Sequence, residues 1–532
     1  MGFVIITHKR FTMKLKFLFT IGLLSIGIAQ AQEFAKGVVF HDTNKNGKKD
    51  KSEVGLKSVS VSNGKDVVQT NEKGEYRLPV GSDNIIFVIK PSDYSFPLNE
   101  NNLPQYYYIY KPNGSPVLKY SVSLPTGKLP ARLDFPMYRQ DESKQFQALV
   151  FGDPQVYNLE ELAFFKKGII NDLNNGDSIA FGISLGDLVG DNLDLHAPYK
   201  DVIKQIGKPW YNVMGNHDMN YDVLSDSLSD ESFEKNFGPN NYSFNYGDAH
   251  FIVLDNIIYP NPRTGKGYLG GFRKDQLDFI ENDLKFVPKD KLIVLCFHIP
   301  LKHNNSDVFR NEDRQRLFDL LAEFNHTVSM SAHTHYQQQL FYDKSEGWRQ
   351  EKPHHEYNVG TTSGDWYSGL DNNQGVPQSM MRDGTPKGYA ILNVKGNQYS
   401  FDYKVAGENQ DYQINIIAPK AVSKKHLGRY KLYANFFMGT ANDKVKFRID
   451  GGKWNDMKHV EIVDLAYQYE VLKFDNAIEF MDGRRPSNPV KSSHIWEIKF
   501  PNNLSQGVHN IEVEATDMFG KTHKQNTTIN VM

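Results

Sequence analysis

The sequence predicts an α/β central domain flanked by two all-β, sandwich-like modules. Three observations predict it. Between about residues 141 and 408, buried-strand runs such as Ala148-Leu149-Val150-Phe151, Ile179-Ala180-Phe181-Gly182-Ile183 and Lys291 to Phe297 alternate with stretches of helical period. On both sides, short apolar runs alternate with Gly, Asn and Pro turns, as in a β-sandwich. A chain of 532 residues is too long for one ordinary domain, and its 39% hydrophobic and 23% charged residues are globular in composition. The expected division is a targeting segment over 1–31, an N-terminal β module over 32–140, the central domain over 141–408 and a C-terminal β module over 409–532.

Residues 1–31 have the form of a cleavable signal. Lys14 and Lys16 precede an apolar stretch, Phe17 to Ile28, that is too short to span a bilayer, and Ala29-Gln30-Ala31 satisfies the small-x-small cleavage rule. Met13 begins a better-proportioned signal than Met1. The segment holds four Lys/Arg and no Asp/Glu, so the formal charge of -2 becomes -6 once it is removed (-2 minus 4). A periplasmic or secreted protein is expected, with no transmembrane segment in the mature chain. The balance of 61 basic and 63 acidic residues gives no basic field for nucleic acid. Cys296 is the single cysteine, so no intrachain disulfide forms, and its apolar strand context makes it a core residue.

The N-terminal module contains Asp42-Thr43-Asn44-Lys45-Asn46-Gly47 followed by Asp50 and Glu53, the spacing of a twelve-residue calcium loop. Asp42, Asn44, Asn46, Asp50 and Glu53 would be the oxygen ligands. The flanks read as strands, so this is no helix-flanked calcium hand. The competing reading is a polar hairpin, because Lys45, Lys48, Lys49 and Lys51 weaken the negative field.

In the central domain, five short segments place oxygen or imidazole groups just after apolar runs: Gly152-Asp153-Pro154-Gln155, Gly186-Asp187, Gly215-Asn216-His217-Asp218, His298 and His333-Thr334-His335. Open α/β sheets collect ligands at the carboxyl ends of their strands. A carboxylate shared by two cations is how a two-metal centre holds its ions, and residues i and i+2 of extended chain share a face, so His333 and His335 can converge. Singly, each segment reads as an ordinary turn residue. Together and in this order they specify a metal site. Downstream, Gly360 to Tyr389 forms a long turn-rich stretch in which Trp366 and Tyr367 could stack on a base, sugar or lipid head group, and Arg382 or Lys387 could hold a second phosphate. The alternative is a structural loop with aromatic anchors. The C-terminal segment returns to β alternation, as in Val445 to Ile449 and Ile511 to Ala515.

On these five segments the sequence resembles the calcineurin-like metallophosphoesterases, over roughly residues 145–400. The resemblance implies a four-layer α-β-β-α sandwich and two divalent ions (Mn, Zn, Fe or Mg). One would be held by Asp153, Gln155, Asp187 and His335, the other by Asp187, Asn216, His298 and His333. His217 would donate a proton to the leaving group, supported by Asp153 or Asp187, and metal-activated water would be the nucleophile. Two positions depart from the family pattern: Gln155 stands where His is usual, and Ala332 where Gly is usual. The implied activity is phosphoester hydrolysis, of diesters by the form of the Gly-Asn-His-Asp motif. The substrate would be a small molecule, a lipid head group or an envelope component. A phosphomonoesterase or nucleotidase differs only in substrate. A non-catalytic surface-binding protein would show a broken metal set.

Overall fold

The computed structural model describes residues 2, 32–173, 178–302 and 308–532. Apart from Gly2, the expected signal segment lies outside the described residues. Among the described residues no helix is long and apolar enough to cross a membrane.

The N-terminal module is two four-stranded sheets. One runs in the order Glu75–Val80, Glu33–His41, Phe135–Arg139, Tyr94–Ser95, and the other Val67–Gln69, Ser60–Ser62, Asn84–Val88, Tyr107–Tyr110. Its alternating strands bury Val39, Leu78, Ile86 and Phe135 in a hydrophobic core that continues without a break into the central domain. Phe87 meets Phe279 at 5.8 Å between ring centroids, and Tyr106 meets Tyr242 at 5.5 Å. The buried Lys111 ammonium is paired to Glu231 at 2.8 Å and Glu234 at 2.9 Å on the central domain. The expected boundary near residue 140 is therefore a change of sheet and not a gap in packing.

The five proposed calcium ligands do meet in one loop, but as partners of each other. Asp42 Oδ2 accepts from Gly47 N at 2.8 Å, Glu53 accepts from Thr43 N at 2.8 Å and Asp50 N at 3.0 Å, and Asp50 Oδ2 accepts from Asn44 at 2.8 Å and Asn46 at 3.0 Å. Lys49 donates to the Asp50 and Glu53 carbonyls. These contacts close the loop through its own backbone N–H groups.

The central domain holds a five-stranded sheet, in the order Trp210–Asn212, Ile179–Ser184, Gln145–Phe151, Gly388–Lys395, Gln398–Val405. A six-stranded sheet accompanies it, in the order Tyr242–Tyr246, Ala249–Val253, Leu292–Cys296, Thr327–Ser331, His354–Asn358, Gln338–Tyr342. The three leading strands of the first sheet and the four inner strands of the second are parallel. Their near-continuous apolar sequences follow, since a strand covered on both faces has no polar side to show. Helix Lys274–Leu284 buries Leu277, Ile280 and Leu284 at helical spacing. Cys296 is fully buried, as a core residue, and burial pushes its thiol up.

The C-terminal module packs a four-stranded sheet (Ile414–Ile417, Lys431–Phe436, Lys491–Lys499, Lys458–Val463) against a five-stranded one ending in Gly507–Thr516 and Thr522–Val531, around its own core of Leu432, Phe447, Trp496 and Val513. It is not all β. Helix Leu465–Asp475 interrupts it, with the Asp464 carboxylate accepting from Tyr467 N at 2.8 Å as the amino-terminal cap.

Candidate metal centre

All the proposed ligands sit on turns that leave the carboxyl ends of parallel strands of both sheets. Asp153 lies two residues past Phe151, Asp187 three past Ser184, Asn216 four past Asn212, His298 two past Cys296 and His333 two past Ser331. The turns are strained in the same way. Asp153, Gln155, Asp187, His333 and His335 all have positive φ, between 37° and 72°. Side chains with a Cβ adopt this region at a cost and rarely cluster there outside functional sites. Glycine is required where two turns touch: a Cβ on Gly215 would lie 1.9 Å from the Asp187 nitrogen, and one on Gly186 would lie 2.7 Å from His298 Nδ1.

The strain brings electron pairs face to face. His298 Nδ1 donates to the Leu185 carbonyl at 2.8 Å, so that Nε2 carries the lone pair whenever the ring is neutral. That Nε2 lies 3.1 Å from Asn216 Oδ1, 3.2 Å from Asp187 Oδ2 and 3.2 Å from His333 Nδ1. Asp187, His298 and His333 thus offer three ligand atoms all within 4.8 Å of one another. His335 Nδ1 donates to the Gly364 carbonyl at 2.7 Å, so its Nε2 is likewise a lone pair, 3.8 Å from Asp153 Oδ1. Asp153 and Asp187 are both buried.

The electrostatics agree with this crowding. Burial, with Asp187 nearby, raises the Asp153 carboxyl to about 7 against the pull of His298. Burial opposes ionisation of Asp187 too, but His298 and His217 outweigh it and hold the group well below the usual carboxylate range. Burial disfavours a charged His298, yet Asp187 and Asp153 raise it to about 9: the carboxylates draw a positive charge into the gap. His335, dominated by burial, falls to about 4 and stays a neutral donor of electron pairs.

The residues present fit divalent cations. Converging acceptors need a positive charge between them, and the buried Gln155 Oε1 has no hydrogen-bond partner, while its Nε2 faces Tyr157 Oη at 3.4 Å. An orphaned amide oxygen beside Asp153 is what an oxygen ligand looks like without its cation. Gln155 is therefore a candidate ligand by its own geometry, although it departs from the pattern.

His217 lies at the rim, partly open to solvent. Its backbone N donates to Asp187 Oδ1 at 2.8 Å, and its ring Nδ1 is 2.7 Å from Asp191 Oδ1. Asp187 thus supports His217 as expected, and the hydrogen bond to the ring itself comes from Asp191. Burial works against a charged His217 ring, but Asp187 and Asp191 raise it to about 9. Tyr120 of the N-terminal module donates to the Asp191 carbonyl at 2.9 Å, so that module braces the pair. Asp218, part of the same motif, is no ligand: buried, it accepts from the Leu188 and Gly215 nitrogens and contacts His196 Nε2 at 3.1 Å, tying the two turns together.

The 360–387 stretch does wall the centre, with a different division of labour from the one expected. Ser363 Oγ donates to the Asp153 carbonyl at 2.7 Å, and Tyr367 Oη donates to the Pro154 carbonyl at 2.6 Å. Tyr367 is therefore a buried anchor and has no face left for a substrate. Trp366 stacks on the His335 ring, 4.0 Å between centroids and 21° between planes. Lys387 is buried and gives its ammonium to the Pro377 carbonyl, away from the metal ligands. Arg382 donates to the Asn488 carbonyl at 3.1 Å, joining the wall to the C-terminal module. The cation that does reach the rim is Arg484, whose guanidinium lies 5.9 Å from the Trp366 ring centroid and whose carbonyl accepts from Gly369 N at 2.7 Å. Asp191 was findable, four positions past Asp187. Arg484 carried no local signal. Around these stand Tyr157, edge-on to His217 at 6.0 Å, and Tyr268, edge-on to His333 at 6.1 Å.

Comparison with known proteins gives the same picture. Three family models match consecutive parts of the chain: the N terminal of calcineurin-like phosphoesterase over 43–121, calcineurin-like phosphoesterase over 146–337, and the C terminal of calcineurin-like phosphoesterase over 356–523. The third begins inside the central domain and takes in the strands Gly388–Lys395 and Gln398–Val405. No curated protein matches the chain by sequence. Among solved structures, the purple acid phosphatase from yellow lupin (Lupinus luteus) seeds is 14% identical with a TM-score of 0.35, over 70% of this chain and 66% of that one. GAP50, the anchor in the inner membrane complex of Plasmodium, is 16% identical with a TM-score of 0.30, over 50% of this chain and 85% of that one. Vps29 of Chaetomium thermophilum is 11% identical with a TM-score of 0.21, over 73% and 100%.

Proposed function

The chain belongs to the calcineurin-like phosphoesterases, metal-dependent phosphoric ester hydrolases, and we propose that it hydrolyses phosphodiesters outside the cytoplasm with two divalent cations. The layer order α-β-β-α for the central domain is part of this reading. The observation that carries it is the convergence of Asn216 Oδ1, Asp187 Oδ2 and His333 Nδ1 within hydrogen-bond distance of one nitrogen, His298 Nε2. Asp153, Gln155, Asp187 and His335 would hold one ion, and Asp187, Asn216, His298 and His333 the other. Bound there, the ions supply Lewis acidity toward the phosphoryl oxygens and lower the pKa of water toward neutrality.

The chain's own residues supply the rest. The Leu185 and Gly364 carbonyls fix the tautomers of His298 and His335, so each presents Nε2 inward. Asp191 holds the proton of His217 on Nδ1 and favours the charged ring, which lets Nε2 give its own proton to a departing alkoxide. Trp366 covers the outer face of His335 and excludes water from that side. His217 and Tyr157 are partly exposed, and the entrance in this reading lies beside them.

Replacing Asp187 by Asn removes the shared carboxylate while keeping its size. Turnover of an aryl phosphodiester by the mature chain supplied with Mn or Zn should fall below detection, with an unchanged circular dichroism spectrum. Retained turnover would exclude this site as the seat of the reaction.

A further inference from the structure

The chain's most exposed large apolar side chains are not scattered. Val117, Leu224, Ile478 and Phe480 are 100%, 96%, 101% and 108% exposed, more than any other large hydrophobic residue described. They come from all three parts of the chain, and each sits on a segment tied to the rim of the metal centre. Val117 precedes Lys119, whose nitrogen donates to Asp222 at 2.7 Å, and Tyr120, which donates to the carbonyl of Asp191. Leu224 follows Tyr221, whose hydroxyl donates to the carbonyl of the ligand residue Asn216 at 2.6 Å. Ile478 and Phe480 lie on the segment that ends in Arg484, beside Trp366 and hence His335.

Side chains with full exposure touch no protein, and leaving them so costs free energy in water unless something apolar receives them. Their arrangement identifies the receiver. They belong to three modules and to separate segments of the chain. A folded protein partner would need a matching hole for each, whereas a fluid lipid surface receives tips wherever they fall. Helix Leu465–Asp475 leads into the Ile478 and Phe480 segment and exposes Leu465, Tyr469 and Leu472 while burying only Tyr467 and Val471, so its apolar side also faces outward. The charges between the tips are mixed. Arg484 and Lys119 form no ion pair with a carboxylate among the described residues, Arg485 is paired to Asp475 at 2.6 Å, and Glu479 and Asp482 are exposed. Such a surface complements zwitterionic head groups, which carry both signs.

We propose that the mouth of the metal centre docks on a phospholipid surface and that the substrate is a phosphoester borne by an amphiphile held in it. The docking step stands on exposure and placement alone; the substrate class rests on the hydrolase reading above. Val117, Leu224, Ile478 and Phe480 enter the acyl boundary, and the head group of a neighbouring lipid reaches the ligands past Tyr157 and His217.

The test uses the mature full-length chain carrying Asp187→Asn, so that turnover plays no part, and vesicles of phosphatidylcholine, alone or with phosphatidylglycerol. Co-sedimentation should occur with both compositions and persist in moderate salt. The pairs Ile478→Ser/Phe480→Ser and Val117→Ser/Leu224→Ser should each weaken it at least about tenfold, given the transfer free energy of two such side chains. Phe341→Ser, at an exposed apolar position away from the rim, should not. In the otherwise wild-type chain the two pairs should hydrolyse a soluble aryl diester normally and lose activity only on vesicle-borne esters. Absence of vesicle binding, binding indifferent to both pairs, or equal loss with Phe341→Ser would overturn the proposal. Self-association abolished by the same pairs, in a chain that ignores vesicles, would replace the lipid by a second copy. Vesicle binding without hydrolysis of any soluble ester by the wild-type chain would leave the docking surface standing and remove the hydrolase reading beneath it.

Discussion

Asp191→Asn separates the proton-donor role of His217 from ligation. Asn keeps the shape and can still accept from Nδ1, but it removes the charge behind a 2.7 Å contact. A hydrogen bond to a charged partner contributes about 1.5–3 kcal/mol. If that stabilisation reaches the transition state in which His217 releases its other proton, the rate falls roughly ten- to hundredfold. The loss must depend on the leaving group. An alkoxide needs the proton and should show the full effect, whereas a nitrophenolate leaves unaided and should show almost none. The Asp191 side chain is 54% exposed, so folding should change by less than about 0.5 kcal/mol. The assay is kcat/KM for a series of diesters of graded leaving-group basicity, wild type against variant, with metal content measured on both. A uniform loss across the series, or a loss tracking metal content, would refute the role assigned to the pair.

Gln155→His should shift metal preference from Mn or Mg toward Zn, because an imidazole replaces a neutral oxygen donor; metal-dependence of rate and bound-metal analysis check it, and an unchanged preference would show that Gln155 does not touch the ion. Gly215→Ala should destabilise the central domain by about 1–3 kcal/mol, read from thermal midpoints, since its Cβ would meet the Asp187 nitrogen at 1.9 Å. Lys387→Met gives a pH signature. Burial lowers the Lys387 ammonium to about 8, so the unfolded chain binds its proton more tightly and the folded state is penalised below that pH. The penalty, about 3 kcal/mol at pH 7, disappears as pH rises from 8 toward 10.5, the ordinary value. Lys387→Met should therefore be the more stable chain at pH 7 by about 2 kcal/mol after the lost hydrogen bond to Pro377 is counted, with the gap closing by pH 10.5 in thermal melts.

The proposed ligand positions were legible because each follows an apolar run, and a parallel strand buried on both faces announces its own end. Asp153, Asp187, Asn216, His298, His333 and His335 all stand where strand runs stop, and the turn geometry then needs only the glycines beside them. Residue type alone misled at Tyr367 and Lys387. An aromatic ring and an ammonium suit a phosphoester, but which way they face is set by Pro154 and Pro377, far away in the chain or hidden in a turn. Helix Leu465–Asp475 escaped notice because its apolar residues do not gather on a core-facing stripe; it buries only Tyr467 and Val471. Arg484 reaches Trp366 across 118 positions, a separation no local pattern spans.

Charge counting explains why Gln155 matters more than its single departure suggests. Of the seven proposed ligands only Asp153 and Asp187 are anionic; Gln155, Asn216, His298, His333 and His335 are neutral donors when ligating. Two divalent ions bound by this set would face two carboxylates, an excess of two positive charges in a buried centre. That excess would favour an anionic substrate and would hold Asp153, whose carboxyl burial otherwise raises to about 7, in its ionised form. A ligand with a third negative charge would weaken the attraction to phosphate. Gln155 preserves the neutral donor of the family's histidine at that position while changing nitrogen for oxygen, so the charge balance of the centre is kept and only the hardness of one ligand is altered. The same balance predicts the effect of Gln155→Glu: tighter metal binding, from one more carboxylate at the site, together with a higher KM for an anionic diester. A variant that gained affinity for metal and for substrate alike would show that the excess charge does not drive substrate binding.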